Sequence, residues 1–272
     1  MGLFIPPVSN APTQDNFTAG VLATASIGTL ITGGAANTKG SPWTELITSA
    51  NFDVYGFVLV FTGSALTGNL INQLVDIGIG AAASEQVLVP DIVAGSFPTG
   101  GNGISPLFFP MYIAKGTRIS ARMQDAVGAD TVSVGIVLYG GGDFSPPWPT
   151  FEKAVSIGTT AANSQGTVHT AGNAAFSAWA SIGSTLTQDI KGFLPTMQVN
   201  NAVTVARAYV AEFGVSSTRF AGWHFITSSA EDVNQMPGIP HFQLVPSGSQ
   251  MQIRAKCNAV PDTNQWGLIG FY

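Results

Sequence analysis

Charge is what this sequence has least of. Only 9% of its 272 residues are Asp, Glu, Lys or Arg, against roughly 25% in a typical soluble domain. There is a single cysteine, Cys257, so no disulfide can form within the chain. The three histidines and that cysteine fall into no zinc-ligand spacing. No run of basic residues is present, and the net charge is -5. The electrostatic footprint of a nucleic-acid binder is therefore missing, and no nucleic-acid partner is expected. The start, "MGLFIPPVSNAPTQDN", has neither the basic residues nor the apolar run of a secretory leader. Sustained helical periodicity is absent too. The one long uncharged window, Val54 to Val75, is broken by Gly56, Gly63 and Gly68 and reads as strand, turn and strand. No membrane partner is expected.

What fills the space is Gly, Ser, Thr, Asn and Gln around short β-branched and aromatic runs such as "YGFVLVF", "TRISARM" and "TVSVGIVLY". This is the pattern of an all-β chain of sandwich type. A weakly charged polar surface repels neighbouring protein little, which suits a subunit that packs in an assembly or an extracellular binding module.

The chain is also written twice. "SIGT" occurs at 26–29 and at 156–159, and a lone tryptophan follows each copy, Trp43 and Trp179. Ten residues after each tryptophan stands an aspartate, Asp53 or Asp189, followed by Gly-Phe. In the same register Asp76 matches Glu212 and Gly78 matches Gly214. Further on, "IAKGTRISARMQ" matches "VPSGSQMQIRAK", so that Gly116 pairs with Gly248 and Arg122 with Arg254. The expected organisation is an extended N-terminal arm over 1–25, a first β-sandwich over 26–140, a Gly/Pro-rich linker over 141–155 and a second sandwich over 156–272. Each unit has room for about eight short strands, the size of a jelly roll. The repeated Gly marks a tight turn feeding a strand. Arg122 and Arg254 are expected to hold a repeated carboxylate such as Asp53 and Asp189.

Two segments point to packing. The arm carries Leu3, Phe4, Ile5, Pro6 and Pro7, an apolar proline-bearing tip expected to lie along a neighbouring subunit. The linker carries Phe144, Trp148 and Phe151, expected to pack between the two units. Reactive chemistry is thin. His169, His224 and His241 lie in no HxH or HExxH spacing and read as surface or turn residues. No G-x-S-x-G elbow or Walker lysine is present. Paired carboxylates for glycoside hydrolysis are the best catalytic candidates, but several are duplicated, which favours a structural role. No catalytic residue, metal site or cofactor is expected. Trp223 and Trp266 occur only in the second unit and are the residues open to a glycan-stacking role.

The tandem sandwich, the low charge, the Pro-rich arm and the block "YIAKGTRISAR" together resemble virion structural proteins of tailed bacteriophages. The narrower resemblance is to jelly-roll decoration (cement) proteins and tail or fibre-base proteins. It implies a non-enzymatic protein of the virion, assembled in the host cytoplasm. Its implied partners are copies of itself, with a trimer favoured, and other virion proteins such as a major capsid protein. Two alternatives stay open: a carbohydrate- or receptor-binding module of a tail or fibre, and a small tandem jelly-roll capsid protein.

Overall fold

A computed structural model describes residues 17–19, 28–63, 73–94, 106–126, 128–159, 166–199, 207–227, 233–235, 238–259 and 262–272. The arm tip, Leu3 to Pro7, lies outside the described residues. The first half contains β1 (Phe17–Ala19), β2 (Thr29–Thr32), β3 (Thr44–Ile47), β4 (Val54–Gly63), β5 (Gln73–Ile79), β6 (Gln86–Val93), β7 (Leu107–Phe109), β8 (Ile119–Asp125) and β9 (Thr131–Gly140). The second contains β10 (Ala154–Ile157), β11 (Thr167–Asn173), β12 (Ala180–Ser181), β13 (Gly192–Val199), β14 (Arg207–Val215), β15 (Thr218–Thr227), β16 (Val233–Gln235), β17 (Met251–Cys257) and β18 (Asp262–Phe271). No helix occurs among the described residues.

The strand order is that of two jelly rolls. In the first unit β1 and β2 share one edge of β9, and the sheet continues through β4 to β7; the facing sheet runs β3-β8-β5-β6. In the second unit β10 and β11 share an edge of β18, which pairs on its other side with β13; the facing sheet runs β12-β17-β14-β15-β16. Where β7 pairs Phe109 with Phe57, the second unit has only a bridge from His241 to Phe193. Among the described residues the first sandwich thus has layers of five and four strands, and the second layers of four and five, in jelly-roll order.

The cores follow the alternation of these strands. On β4, Phe57, Leu59 and Phe61 are fully buried, whereas Val58 and Val60 between them are half-exposed. The two cores are filled differently. Val134 and Ile92 of the first unit correspond by register to Trp266 and Trp223 of the second. Larger rings therefore fill the second sandwich.

The duplication is a repetition of register, with one correction. Val58 pairs with Val137, and their counterparts Leu194 and Ile269 pair likewise. The "SIGT" match, however, is not structural. Thr29 opens β2 opposite Val134, and the residue opposite Trp266 is Thr167, not Thr159. Ser156 and Ile157 belong to β10, the strand before. The first unit accordingly begins one strand earlier than its tetrapeptide, at β1, whereas the second begins with β10, the strand that carries its copy. Phe17–Ala19, part of the expected arm, pairs with Ile136–Leu138 of the same chain. Ala154 and Val155, part of the expected linker, pair with β18.

The units share one apolar core. Strand β6 of the first lies against β10, β13 and β18 of the second. Phe271 meets Phe109 at 6.4 Å and Phe151 at 5.7 Å between ring centroids. The Phe108 amide donates to the Gly238 carbonyl at 2.8 Å.

Candidate functional site

The repeated residues gather into two matched clusters, one on each β3- or β12-containing sheet. Their construction follows from strand register. Asp76 sits directly opposite Arg122 across β5 and β8, and Glu212 sits directly opposite Arg254 across β14 and β17. Arg122 Nε donates to Asp76 Oδ2 at 3.0 Å, and Arg254 Nε donates to Glu212 Oε2 at 2.7 Å. The tryptophan just before β3 or β12 then covers the guanidinium. Arg122 lies 4.4 Å from the Trp43 ring centroid and Arg254 4.8 Å from that of Trp179. Trp43 fits because Gly78 has no side chain: a Cβ there would stand 2.6 Å from the ring.

The expected carboxylates, Asp53 and Asp189, do something else. They accept the backbone N–H of Lys115 and Ser247, each at 2.8 Å. Beside them Gly116 and Gly248 take φ of 84° and 81° and donate to the Ala50 and Leu186 carbonyls. Asp53 and Asp189 therefore fasten the repeated turn, and the arginine partners are Asp76 and Glu212. A carboxylate only three residues from a Gly-Phe strand start was visible; which strand would lie beside β8 or β17 was not.

Each cluster has a second cation that the sequence repeat did not reveal. In the first unit Lys39 Nζ donates to both Asp76 Oδ1 and Asp91 Oδ1 at 2.6 Å. In the second, Arg219 Nη1 donates to Glu212 Oε1 at 2.9 Å. Lys39 comes from a loop and Arg219 from β15, so equivalent charges arrive from non-equivalent places. Arg118, from the unrepeated part of "AKGTRISAR", bridges Glu45 at 2.8 Å and Glu85 at 2.6 Å. Six of the ten basic residues thus stand in ion pairs that tie strands together. The scarce charge is spent inside the fold.

These environments move the carboxyl groups in opposite directions. Burial raises Asp91 above the usual aspartate range, against the attraction of Lys39. For Glu212, burial pushes upward, but hydrogen bonds from Arg219 and Arg254 outweigh it and hold the group below the usual glutamate range. A depressed folded-state value means that the stabilisation is present above the unfolded-state value. It is lost as pH falls through the folded one. Glu212→Gln is therefore expected to flatten the acid limb of a stability-versus-pH curve below the ordinary glutamate range. Urea unfolding of both forms across that range checks it.

The remaining candidates resolve as packing. Trp266 is fully buried, 5.1 Å from Phe225 and 6.3 Å from Tyr209 between ring centroids. It has no face for a sugar, which corrects its assignment as a glycan contact. Trp223 is half-buried and sets its ring edge-on to Phe213 and Phe193 at 5.3 and 5.7 Å. Phe144 and Trp148 do not pack between the units. They cover the outer side of the first unit's β9–β4 sheet with Phe108, Tyr55 and Tyr139, and Trp148 Nε1 donates to the Tyr55 carbonyl at 2.8 Å. Phe151 alone of the three stands at the junction, between Phe271 and Phe242.

His169, expected at the surface, lies in β11 at 9% exposure. Burial lowers its pKa, and its Nε2 is 2.7 Å from Ser177 Oγ. That hydroxyl also accepts the Ala255 amide at 3.1 Å, so the pair links β11 to β17. Cys257 is a buried thiol whose Sγ donates to the Ala259 carbonyl at 3.5 Å. Among the described residues no group of three metal-ligating side chains converges.

No family model and no curated protein sequence matches the chain. Solved structures with a similar chain path include PNGF-II, at 11% identity and a TM-score of 0.40, where the match covers 94% of this chain and 65% of that one. The chain thus spans just under two thirds of PNGF-II. The STIV major capsid protein aligns at 9% identity and a TM-score of 0.37, covering 94% of this chain and 96% of that one. The major capsid protein P2 of bacteriophage PM2 aligns at 8% identity and 0.32, covering 90% and 97%. At these scores the fold assignment rests on the strand order described above. That order makes the chain a tandem jelly roll.

Proposed function

We propose that this chain is a structural subunit of a virus particle, acting through assembly and not through catalysis. The observation that supports this reading best is the pair of jelly rolls joined through one apolar core. The surrounding features agree with it. Surface charge is low, the duplicated polar clusters are consumed in holding strands, and Trp266 and Trp223, the residues open to glycan stacking, pack against neighbouring rings. Such a chain presents two similar wedges in fixed relation, and apolar area with backbone pairing supplies the association energy. The finer reading is a decoration or cement protein of a phage capsid that forms homo-oligomers, with a trimer favoured, alongside a major capsid protein. A small tandem jelly-roll capsid protein is the second reading, favoured by the full-length duplication.

Because the contacts are apolar, the native mass of the full-length chain is expected to exceed the monomer and to change little between low and high salt. Sedimentation velocity at both ionic strengths measures this, and electron microscopy of the same samples shows whether lattices or closed shells form. A monomer under both conditions that binds on a broad glycan panel would overturn the reading in favour of a binding module.

A further inference from the structure

The two sandwiches differ inside, at one end. In the first unit Ile31 on β2 pairs with Val132 on β9, and both are buried. The same register in the second unit sets His169 on β11 opposite Asn264 on β18. Asn264 is 0% exposed and stands two residues before Trp266, on the core side of its strand. A carboxamide thus brings donors and an acceptor into a place that the first unit fills with hydrocarbon.

That amide is not satisfied by the chain. Its Nδ2 and Oδ1 have no hydrogen-bond partner among the described residues. The polar neighbour is Tyr209 on β14, which is fully buried too. The Tyr209 hydroxyl donates to Asp262 Oδ2 at 2.6 Å. Burial, and then that carboxylate, raise the Tyr209 pKa well above the usual tyrosine range. The Asn264 amide acts against them, which sets it beside the hydroxyl. With its proton given to Asp262, the hydroxyl oxygen has only lone pairs left to offer.

A buried amide without partners forfeits the hydrogen bonds it makes in water, and folded proteins rarely leave such groups dry. We propose that an ordered water is enclosed in the second sandwich between the Asn264 amide and the Tyr209 hydroxyl. Water fits because it accepts and donates at once. It accepts from Asn264 Nδ2 and donates to Tyr209 Oη or Asn264 Oδ1, within the roughly two to four bonds that a buried water makes. Strands β18 and β14 belong to the two facing layers. The water therefore ties the layers together where the first unit relies on apolar contact. This site goes beyond the assembly reading and does not depend on it.

Two measurements on the full chain test it. A crystal structure that resolves ordered solvent should show a water within hydrogen-bond distance of both the Asn264 amide and Tyr209 Oη. Urea unfolding then compares Asn264→Leu with the wild type, because leucine keeps the shape and removes the amide. If water holds the amide, the change breaks those bonds and takes a partner from the Tyr209 hydroxyl, so the unfolding midpoint should fall. A dry amide would be relieved by the same change, and the midpoint would rise. The crystallographic measurement needs no variant and decides the matter should Asn264→Leu fail to fold. A site without solvent density, an amide paired directly with protein groups, or a midpoint that stays or rises overturns the inference.

Discussion

Trp266→Ala is expected to destabilise the protein by about 4 kcal/mol, the scale for deleting a large buried ring from a packed core. Trp266 is the largest fully buried side chain in the molecule, walled by Tyr209, Phe213 and Phe225. Its counterpart in the first unit is Val134, so the second sandwich is built around a ring that the first lacks. Truncation leaves a cavity that flanking aromatics in edge-on contact cannot fill without leaving their rotamers. The indole N–H has no acceptor among the described residues. Trp266→Phe therefore removes an unsatisfied donor along with some volume, and it should cost much less than alanine. Urea unfolding of the three forms measures both differences. A loss below about 1 kcal/mol for alanine would mean that the ring is not core.

Asp76→Ala is expected to cost about 3 kcal/mol, the lower end of the range for breaking a buried ion pair by removing one partner. The carboxylate side chain is 3% exposed and holds three donors: Lys39, Arg122 and the Asp91 amide at 2.9 Å. Removing it strands Arg122 on Trp43 and leaves Lys39 with Asp91 alone. The lower end applies because Lys39 and Arg122 are 22% and 28% exposed and can reach water. Asp76→Asn keeps an acceptor for the Asp91 amide and should lose less. Glu212→Ala in the second unit should also lose less, because Arg219 is 61% exposed and is solvated once released. Thermal melts of the three variants beside the wild type rank these effects. An Asp76→Ala protein as stable as the wild type would show the cluster to be idle.

These two results would locate stability in sheet register and ring packing. They also bear on the functional reading. A chain whose few charges and large rings are used internally fits the structural role proposed above.

The all-β class, the doubled design and the identity of Trp43, Trp179, Arg122 and Arg254 as repeated framework residues were legible in the sequence. Each depends on local properties: alternation with period two, turn-forming glycines and short-range spacing. The partner of each arginine was not legible. Asp53 lies closer to Trp43 in sequence than Asp76 does, yet it is Asp76 that pairing of β5 with β8 puts opposite Arg122. For the same reason Lys39 and Arg219 escaped notice, since they supply one charge from two unrelated places. "SIGT" misled because identical letters fell one strand apart. His169 and Trp266 looked like surface candidates because single-unit residues have no repeat to mark them as core. Composition and periodicity by themselves determined two low-charge β-sandwiches. Only the tertiary structure decided that Phe144 and Trp148 cover the first unit and that Phe151 joins the two. Those outcomes depend on which distant strands lie side by side, and no local pattern encodes that.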